Sequence, residues 1–339
     1  MTINSPCGGS RTKRCYYLAC VLTVIGVFFF IIPIFVHDEF YLNILILAAA
    51  NGVIALAMRA IMNMGTPSFA HGAFVGIGGY ASGLGAIKLG LPFWLTAPLA
   101  AVVAVMIAVV LGVITLRLRG TYFIIITLSF SEIIRVVLNS TGENIWGGAK
   151  GLLNIPPPSV NLFGRAIQFS QNNLAPYYYL IFVILIITLI VMYRTDHSRI
   201  GINIRALRFS PNLAQSIGVH LMKWRVIAFA IGCIFAAIAG AFYAHYYVMV
   251  DANAFFGVSY IIPVIAWVIV GGRESIVGTL LGAAILTILP QYIKPLREYD
   301  QMAFGIILVL FGLLLPQGLA SLPVRLSPWW ASLRRKEQS

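Results

Sequence analysis

The chain has 339 residues, of which 60% are hydrophobic and 10% charged, with a formal net charge of +13. Soluble domains carry about 25% charged residues, so a water-soluble globule is excluded and the class is an integral membrane protein. The surplus of Lys and Arg lies in short segments between apolar runs, which is the signature of basic cytoplasmic loops rather than of a nucleic-acid binder. No nucleic-acid partner is expected, and the solvent for most of the chain is the lipid bilayer.

The elements follow from hydropathy. Arg11, Lys13 and Arg14 precede a first span at about 16–36 and place the N-terminus in the cytoplasm. This run is long for a signal-peptide core and lacks a small-residue cleavage site, so it reads as a retained helix. His37-Asp38-Glu39 marks the outer side, and a second span at about 41–62 carries Asn51 and Arg59.

The next stretch, 64–90, is apolar yet crowded with glycine. Ser68, Gly72, Gly76, Gly79, Gly83 and Gly90 recur at steps of four, four, three, four and seven, which at about 100° per residue puts them on one stripe of a third span at about 68–88. In water each Gly costs a helix about 1 kcal/mol relative to Ala. In lipid a small-residue stripe lets a second helix approach closely. The stripe therefore reads as a packing face of a central helix, either purely structural or close to a path.

Gly90-Leu91-Pro92 turns the chain into a fourth span at about 93–116, which ends at Arg117 and Arg119. A fifth span at about 121–139 contains Glu132 and Arg135, three apart and able to pair on one face. An ionisable pair inside a span is expensive and faces the bundle interior or an aqueous path; a static pair and a role in gating both fit. Residues 140–176, rich in Gly, Asn and Pro, form the longest outer loop. A sixth span at about 177–193 opens on Tyr177-Tyr178-Tyr179 as an interfacial belt.

The cytoplasmic loop 194–225 holds the most specific soluble feature. Ser210 suits an N-cap, Pro211 the first helical position and Gly218 the C′ position, so they bound one short helix with Ala214 inside it and Leu213 and Ile217 four apart. Upstream, Ile204 and Leu207 form an amphipathic turn with Arg205 and Arg208. Such an apolar edge ringed by basic groups either lies on anionic lipid or docks in a groove of a soluble partner. Spans at about 226–248, 258–270, 276–291 and 302–316 complete the chain, with a tight turn at Gly271–Ser275.

The fold class is thus all-α: a single polytopic bundle over 1–339 with about ten spans, or eight to nine if the short later helices are broken. Seventeen Lys and Arg fall on the inner side against five on the outer (Lys88, Lys150, Arg165, Lys294, Arg297), which makes both termini cytoplasmic. A faint internal echo links Gly65-x2-Ser68-x3-Gly72-x3-Gly76 to Gly272-x2-Ser275-x2-Gly278-x3-Gly282, and the span count makes the two copies parallel. HExxH, GxSxG, a Walker A loop and paired carboxylates within a span are all missing, and Cys7, Cys15, Cys20 and Cys233 have no ligand spacing, so neither an enzyme nor a metal site is expected.

Several segments resemble the LivM-type permease of branched-chain amino acid ABC importers. They are Ser68-Phe69-Ala70-His71-Gly72-Ala73-Phe74 with Gly76, Gly78 and Tyr80; Leu116–Phe123 with Thr127-Leu128 and Glu132-Ile133-Ile134-Arg135; Gly147–Leu152; Arg205-Ala206-Leu207-Arg208 with Ala214, Gly218 and Lys223; and Gly271-Gly272 with Ser275 and Gly278. They stand in the family's order over about 60–290. The chain departs from the pattern at Phe209-Ser210-Pro211, at Trp146, at Arg273-Glu274 and at Thr279.

The resemblance implies a multi-pass subunit of the bacterial inner membrane that binds no cofactor itself. ATP and Mg would sit on two partner ATPases docked beneath the 201–218 loop. A second homologous permease would complete the pore, and a periplasmic or extracellular binding protein would deliver substrate to the 140–176 loop. Urea, amide or other amino-acid permeases of the same family, and an ion-driven secondary transporter, are the alternatives.

Overall fold

The computed structural model describes residues 38–293, apart from 119, 141–142, 163–164 and 171–172, together with 305–306, 308–310, 313 and 318–319. The expected first span at 16–36, most of the last at 302–316, and both termini lie outside the described residues.

The chain folds into helices α1 (Glu39–Met62), α2 (His71–Leu89), α3 (Phe93–Thr115) and α4 (Thr121–Ser140), followed by the short α5 (Glu143–Trp146). Three short strands, β1 (Leu152–Leu153), β2 (Ser159–Leu162) and β3 (Arg165–Gln168), precede α6 (Ala175–His197), α7 (Arg199–Phe209), α8 (Pro211–Ser216) and α9 (Leu221–Tyr247). After β4 (Met249–Val250) come α10 (Ala252–Phe255), α11 (Val258–Gly271) and α12 (Ile276–Ile293). Among the described residues, six segments are long and apolar enough to cross a membrane: α1, α3, α4, α6, α9 and the stretch Ala252–Gly271.

Within the described residues the expected spans return with ends within about five residues, because hydropathy and local caps set those ends. Asp38 accepts from Phe40 N and opens α1, and Gly90, at φ +62°, closes α2 in the left-handed conformation that favours glycine. The start of α2 differs from expectation. The helix begins at His71, not at 68, and the Phe69 amide just before it donates to Thr127 Oγ1 (3.2 Å). Ser68 therefore stands in the turn before the helix and not on its stripe. The outer loop is not wholly irregular either: β1 pairs antiparallel with β4, and β2 with β3.

α1 and α9 form the core, each with 67% of its most apolar 18 residues buried, while α3 and α4, at 28% and 22%, form an outer wall. α9 packs on α2, α3 and α1, and α12 packs on α1 and α11. α2 is too Gly-rich to count among the apolar spans, yet His71–Tyr80 is buried throughout. Its neighbours shield it from lipid, so it does not need an apolar surface of its own.

The long helices run between two ends. One, the basic end, gathers Arg59, Asp196, Arg208, Arg225 and Glu274. The far end gathers Trp94, Asn139, Leu152, Pro156, Val250 and Asn253. α2 and α12 both leave the basic end after a turn with a positive-φ glycine, Gly65 (+123°) and Gly272 (+92°), so the two echo segments run parallel. The echo stops at the caps. Ser275 Oγ accepts from Gly278 N (3.0 Å), whereas Ser68 Oγ is buried without a partner.

Candidate functional site

The glycine face of α2 is a set of recesses, each filled. A methyl group added at Gly72 would come within 2.7 Å of Phe255 O and 3.0 Å of the Tyr260 ring, and one at Gly76 would overlap the Phe256 ring. Gly79 faces Val250 (3.0 Å) and Gly240 O (3.2 Å), and Gly83 faces Ile155 (2.9 Å). On another flank, a methyl at Gly78 would overlap the Ala237 backbone of α9. The stripe is thus a close-packing surface for the junction between α10 and α11, then for β4 and the outer loop. His71, fully buried at the start of α2, places Nε2 3.2 Å from Ile54 O and ties the helix to α1.

That junction is a break in the sixth apolar stretch. α10 ends at Phe255, Gly257 has φ +144°, and α11 begins at Val258 without a side-chain cap. Phe256, 1% exposed, anchors the break against Gly76, with Tyr80 at a ring distance of 6.3 Å.

Beside the break runs the polar margin of α4. Thr127, Ser131 and Leu138 are buried, whereas Ile126, Ile133 and Val137 are exposed. Between these two faces stand Glu132, Arg135 and Asn139, at helical steps of three and four. Arg135 Nε donates to Glu132 Oε2 (2.7 Å), and Arg135 Nη1 donates to Asn253 Oδ1 (3.1 Å). Asn139 Nδ2 donates to the same Asn253 oxygen (3.0 Å). Asp251 caps α10 through Asn253 N (3.0 Å), which fixes Asn253 in turn. Glu132 lies about 16 Å along α4 from Thr121, and its Oε1 borders Gly257. The expected pair exists, and it joins α4 to the broken helix.

Asn51 lies elsewhere. Its Nδ2 donates to Thr287 Oγ1 (3.1 Å) and its Oδ1 accepts from Tyr243 (2.7 Å), so it pins α1, α9 and α12 together in the interior. A second buried set went unseen in the sequence: Ser82 Oγ donates to Thr96 Oγ1 (2.8 Å) and lies 2.9 Å from His245 Nε2, whose Nδ1 lies 2.7 Å from Pro156 O. It joins α2, α3, α9 and the outer loop, and scattered single residues gave no signal for it.

At the basic end α7 and α8 form a hook. Ser210 Oγ accepts from Leu213 N (3.4 Å), Pro211 takes the first helical position, and Gly218, at φ +85°, follows the helix end. Ile204, Leu207 and Ala214 turn inward, while Phe209 (75% exposed), Leu213 (64%) and Ile217 (72%) project outward, with Arg205 exposed beside them. Arg208 Nη2 donates to Glu274 Oε1 (3.0 Å) and fastens the hook to the turn before α12. The next link joins residues far apart in the chain. Arg59 of α1 is buried, and its Nη2 donates to Asp196 Oδ2 (2.7 Å) and Glu274 O (3.2 Å). The one available signal was Asp196 as an isolated acid in a basic segment. Among the described residues, no group of three or more His, Cys, Asp or Glu is placed to hold a metal ion.

The family model described as "Branched-chain amino acid transport system / permease component" matches residues 40–312. The high-affinity branched-chain amino acid transport permease LivM of Salmonella typhimurium is 30% identical over 288 residues, 79% of this chain and 67% of that protein. LivM of Escherichia coli is 28% identical over 332 residues, 92% and 76% of the two chains. The ribose import permease RbsC of Haemophilus influenzae is 24% identical over 324 residues, 92% and 95%. No solved structure matches significantly. With the family model covering most of a polytopic bundle that carries the LivM-like motifs, the chain belongs to the permease components of branched-chain amino acid transport systems.

Proposed function

We propose that this chain is a permease subunit of an ATP-driven importer for branched-chain amino acids, set in the bacterial inner membrane with its basic end in the cytoplasm. A second, homologous permease completes the path. Two ATPase subunits, which hold ATP and Mg, seat α8 in their grooves, and a binding protein delivers substrate at the far end.

The observation that carries this reading is the hook. A capped helix, seated on α7 and α9 through Ala214, presents Leu213 and Ile217 outward from the basic end and is bound to the bundle through Arg208 and Glu274. Closure of the ATPase dimer displaces α8. The displacement passes through Arg208 to Glu274 and the turn before α12, and through Arg59 to α1 and α6. Alternation of the bundle then follows from sliding of the α10–α11 break along the recesses of α2.

Affinity purification of the chain from its native membrane tests the assembly. The expected result is co-recovery of two ATPase subunits and a second permease, and co-recovery that is lost when Leu213 is replaced by Glu. Recovery of the chain alone, in a form that transports with an ion gradient, favours the secondary-transporter alternative.

A further inference from the structure

Among the described residues, two ion pairs lie on the long helices, and they differ in exposure. Arg59 and Asp196 are sealed, with side chains 4% and 15% exposed. Glu132 and Arg135 are each 36% exposed, about 12 and 8 Å along α4 from its far-end terminus at Ser140. An ion pair in hydrocarbon is stabilised by full enclosure in protein or by contact with water. Among the described residues nothing encloses the second pair, and the margin it occupies borders a broken helix, the usual surrounding of a transporter's substrate site.

The pair also has spare valences. Arg135 uses Nε and Nη1 on Glu132 and Asn253, which leaves Nη2. Glu132 accepts through Oε2, which leaves Oε1 beside Gly257. Asn139 Oδ1 is shielded from solvent and has no partner. A free cationic donor and a free anionic acceptor therefore sit within one helical turn. From the same place Val258 (40% exposed) and Ile262 (46%) run down α11 four residues apart, an apolar track toward the basic end.

From this we infer that Glu132, Arg135, Asn139 and Asn253 form a substrate subsite for the zwitterionic head of an α-amino acid, with Val258 and Ile262 receiving an aliphatic side chain. The inference rests on the permease reading above. The substrate carboxylate takes Arg135 Nη2, a charge-assisted contact that guanidinium geometry suits. The ammonium group takes Glu132 Oε1. Because substrate and site are each net neutral, occupation changes no net charge in the membrane, and the empty site neutralises itself. A solute lacking either charge makes only one of the two contacts.

The test uses the complete transporter, with partner permease, ATPases and binding protein, in proteoliposomes. If the wild-type complex shows no ATP-dependent uptake of L-leucine, the permease reading itself fails. Given wild-type uptake, Arg135→Gln and Glu132→Gln should each lower the initial rate at saturating binding protein at least tenfold, while the ATPase subunits co-purify at wild-type yield. The double variant Glu132→Arg/Arg135→Glu rebuilds the ion pair in reverse and should stay at least tenfold down. Uptake above half of wild type in a single variant or in the reversed pair makes the pair a brace and overturns the subsite. A second measurement does not depend on those variants: with Asn253→Cys, millimolar L-leucine should slow labelling by a water-soluble thiol reagent at least threefold, and isovalerate or isoamylamine should not. Equal labelling rates in all three solutes overturn the assignment.

Discussion

Arg59 Nη2 donates to Asp196 Oδ2 at 2.7 Å and to Glu274 O at 3.2 Å, so a single nitrogen holds the ends of α1 and α6 and the turn before α12 together. The guanidinium is buried, and its Nε and Nη1 find no protein partner. Its charge is therefore held in place chiefly by Asp196.

Removing one partner of a buried pair leaves an uncompensated charge and costs about 3–5 kcal/mol. Asp196→Ala should accordingly lower the thermal denaturation midpoint of the purified complex by several degrees, more than any substitution of an exposed acid at the same end. A midpoint equal to that of wild type contradicts a role for Asp196 in neutralising Arg59.

The exposed pair nearby should behave in the opposite way. Glu274 is 74% exposed in its bridge to Arg208, and surface pairs contribute about 0–1 kcal/mol. Arg208→Ala should leave the denaturation midpoint almost unchanged and yet raise the ATP hydrolysed per leucine transported, because the fastening between hook and bundle is lost. A wild-type ratio of hydrolysis to uptake rules the fastening out.

Packing at the break gives a graded prediction. An added methyl at Gly76 overlaps the Phe256 ring, whereas one at Gly79 meets Val250 and Gly240 at 3.0 Å and 3.2 Å. Overpacking costs about 1–3 kcal/mol, so Gly76→Ala should impair uptake more than Gly79→Ala, and Gly76→Leu should abolish it. Phe256→Leu should partly rescue Gly76→Ala by clearing the overlap. Equal effects of the two alanines, or no rescue, contradict the seating of Phe256 on Gly76.

What was legible in the sequence was local. The cap at Ser210, the proline at 211 and the glycine at 218 each act on their own neighbours, and α8 forms where they place it. Apolar runs located α1, α3, α4, α6 and α9 for the same reason. What was not legible joins residues far apart in the chain. Arg59 and Asp196 are separated by 137 positions and Ser82 and His245 by 163, and neither pair leaves a periodic trace. The glycine stripe of α2 announced close packing, but only the fold says that Phe256, from a helix break, fills Gly76. The start of α2 lies three residues later than the stripe suggests, and the contact of the Phe69 amide with Thr127 of α4 is another link between residues far apart in the chain.

The coupling claim has its own variant. Leu213 and Ile217 are the outward apolar edge of α8, and a charge at Leu213 desolvated in an apolar groove is unfavourable. Leu213→Glu should leave the membrane bundle folded, as judged by an unchanged denaturation midpoint of the permease, while ATP hydrolysis no longer drives uptake. Coupled uptake at the wild-type rate removes α8 from the ATPase contact.

The central claim is that this chain moves branched-chain amino acids only when ATPases drive it. Uptake of radiolabelled L-leucine into proteoliposomes, with ATP enclosed and every ion gradient collapsed, tests it most directly. The account predicts uptake by the complete complex, and none when the ATPase subunits or ATP are omitted, whatever gradient is imposed. Leucine accumulation by the chain without ATPases, driven by a proton or sodium gradient, would contradict it.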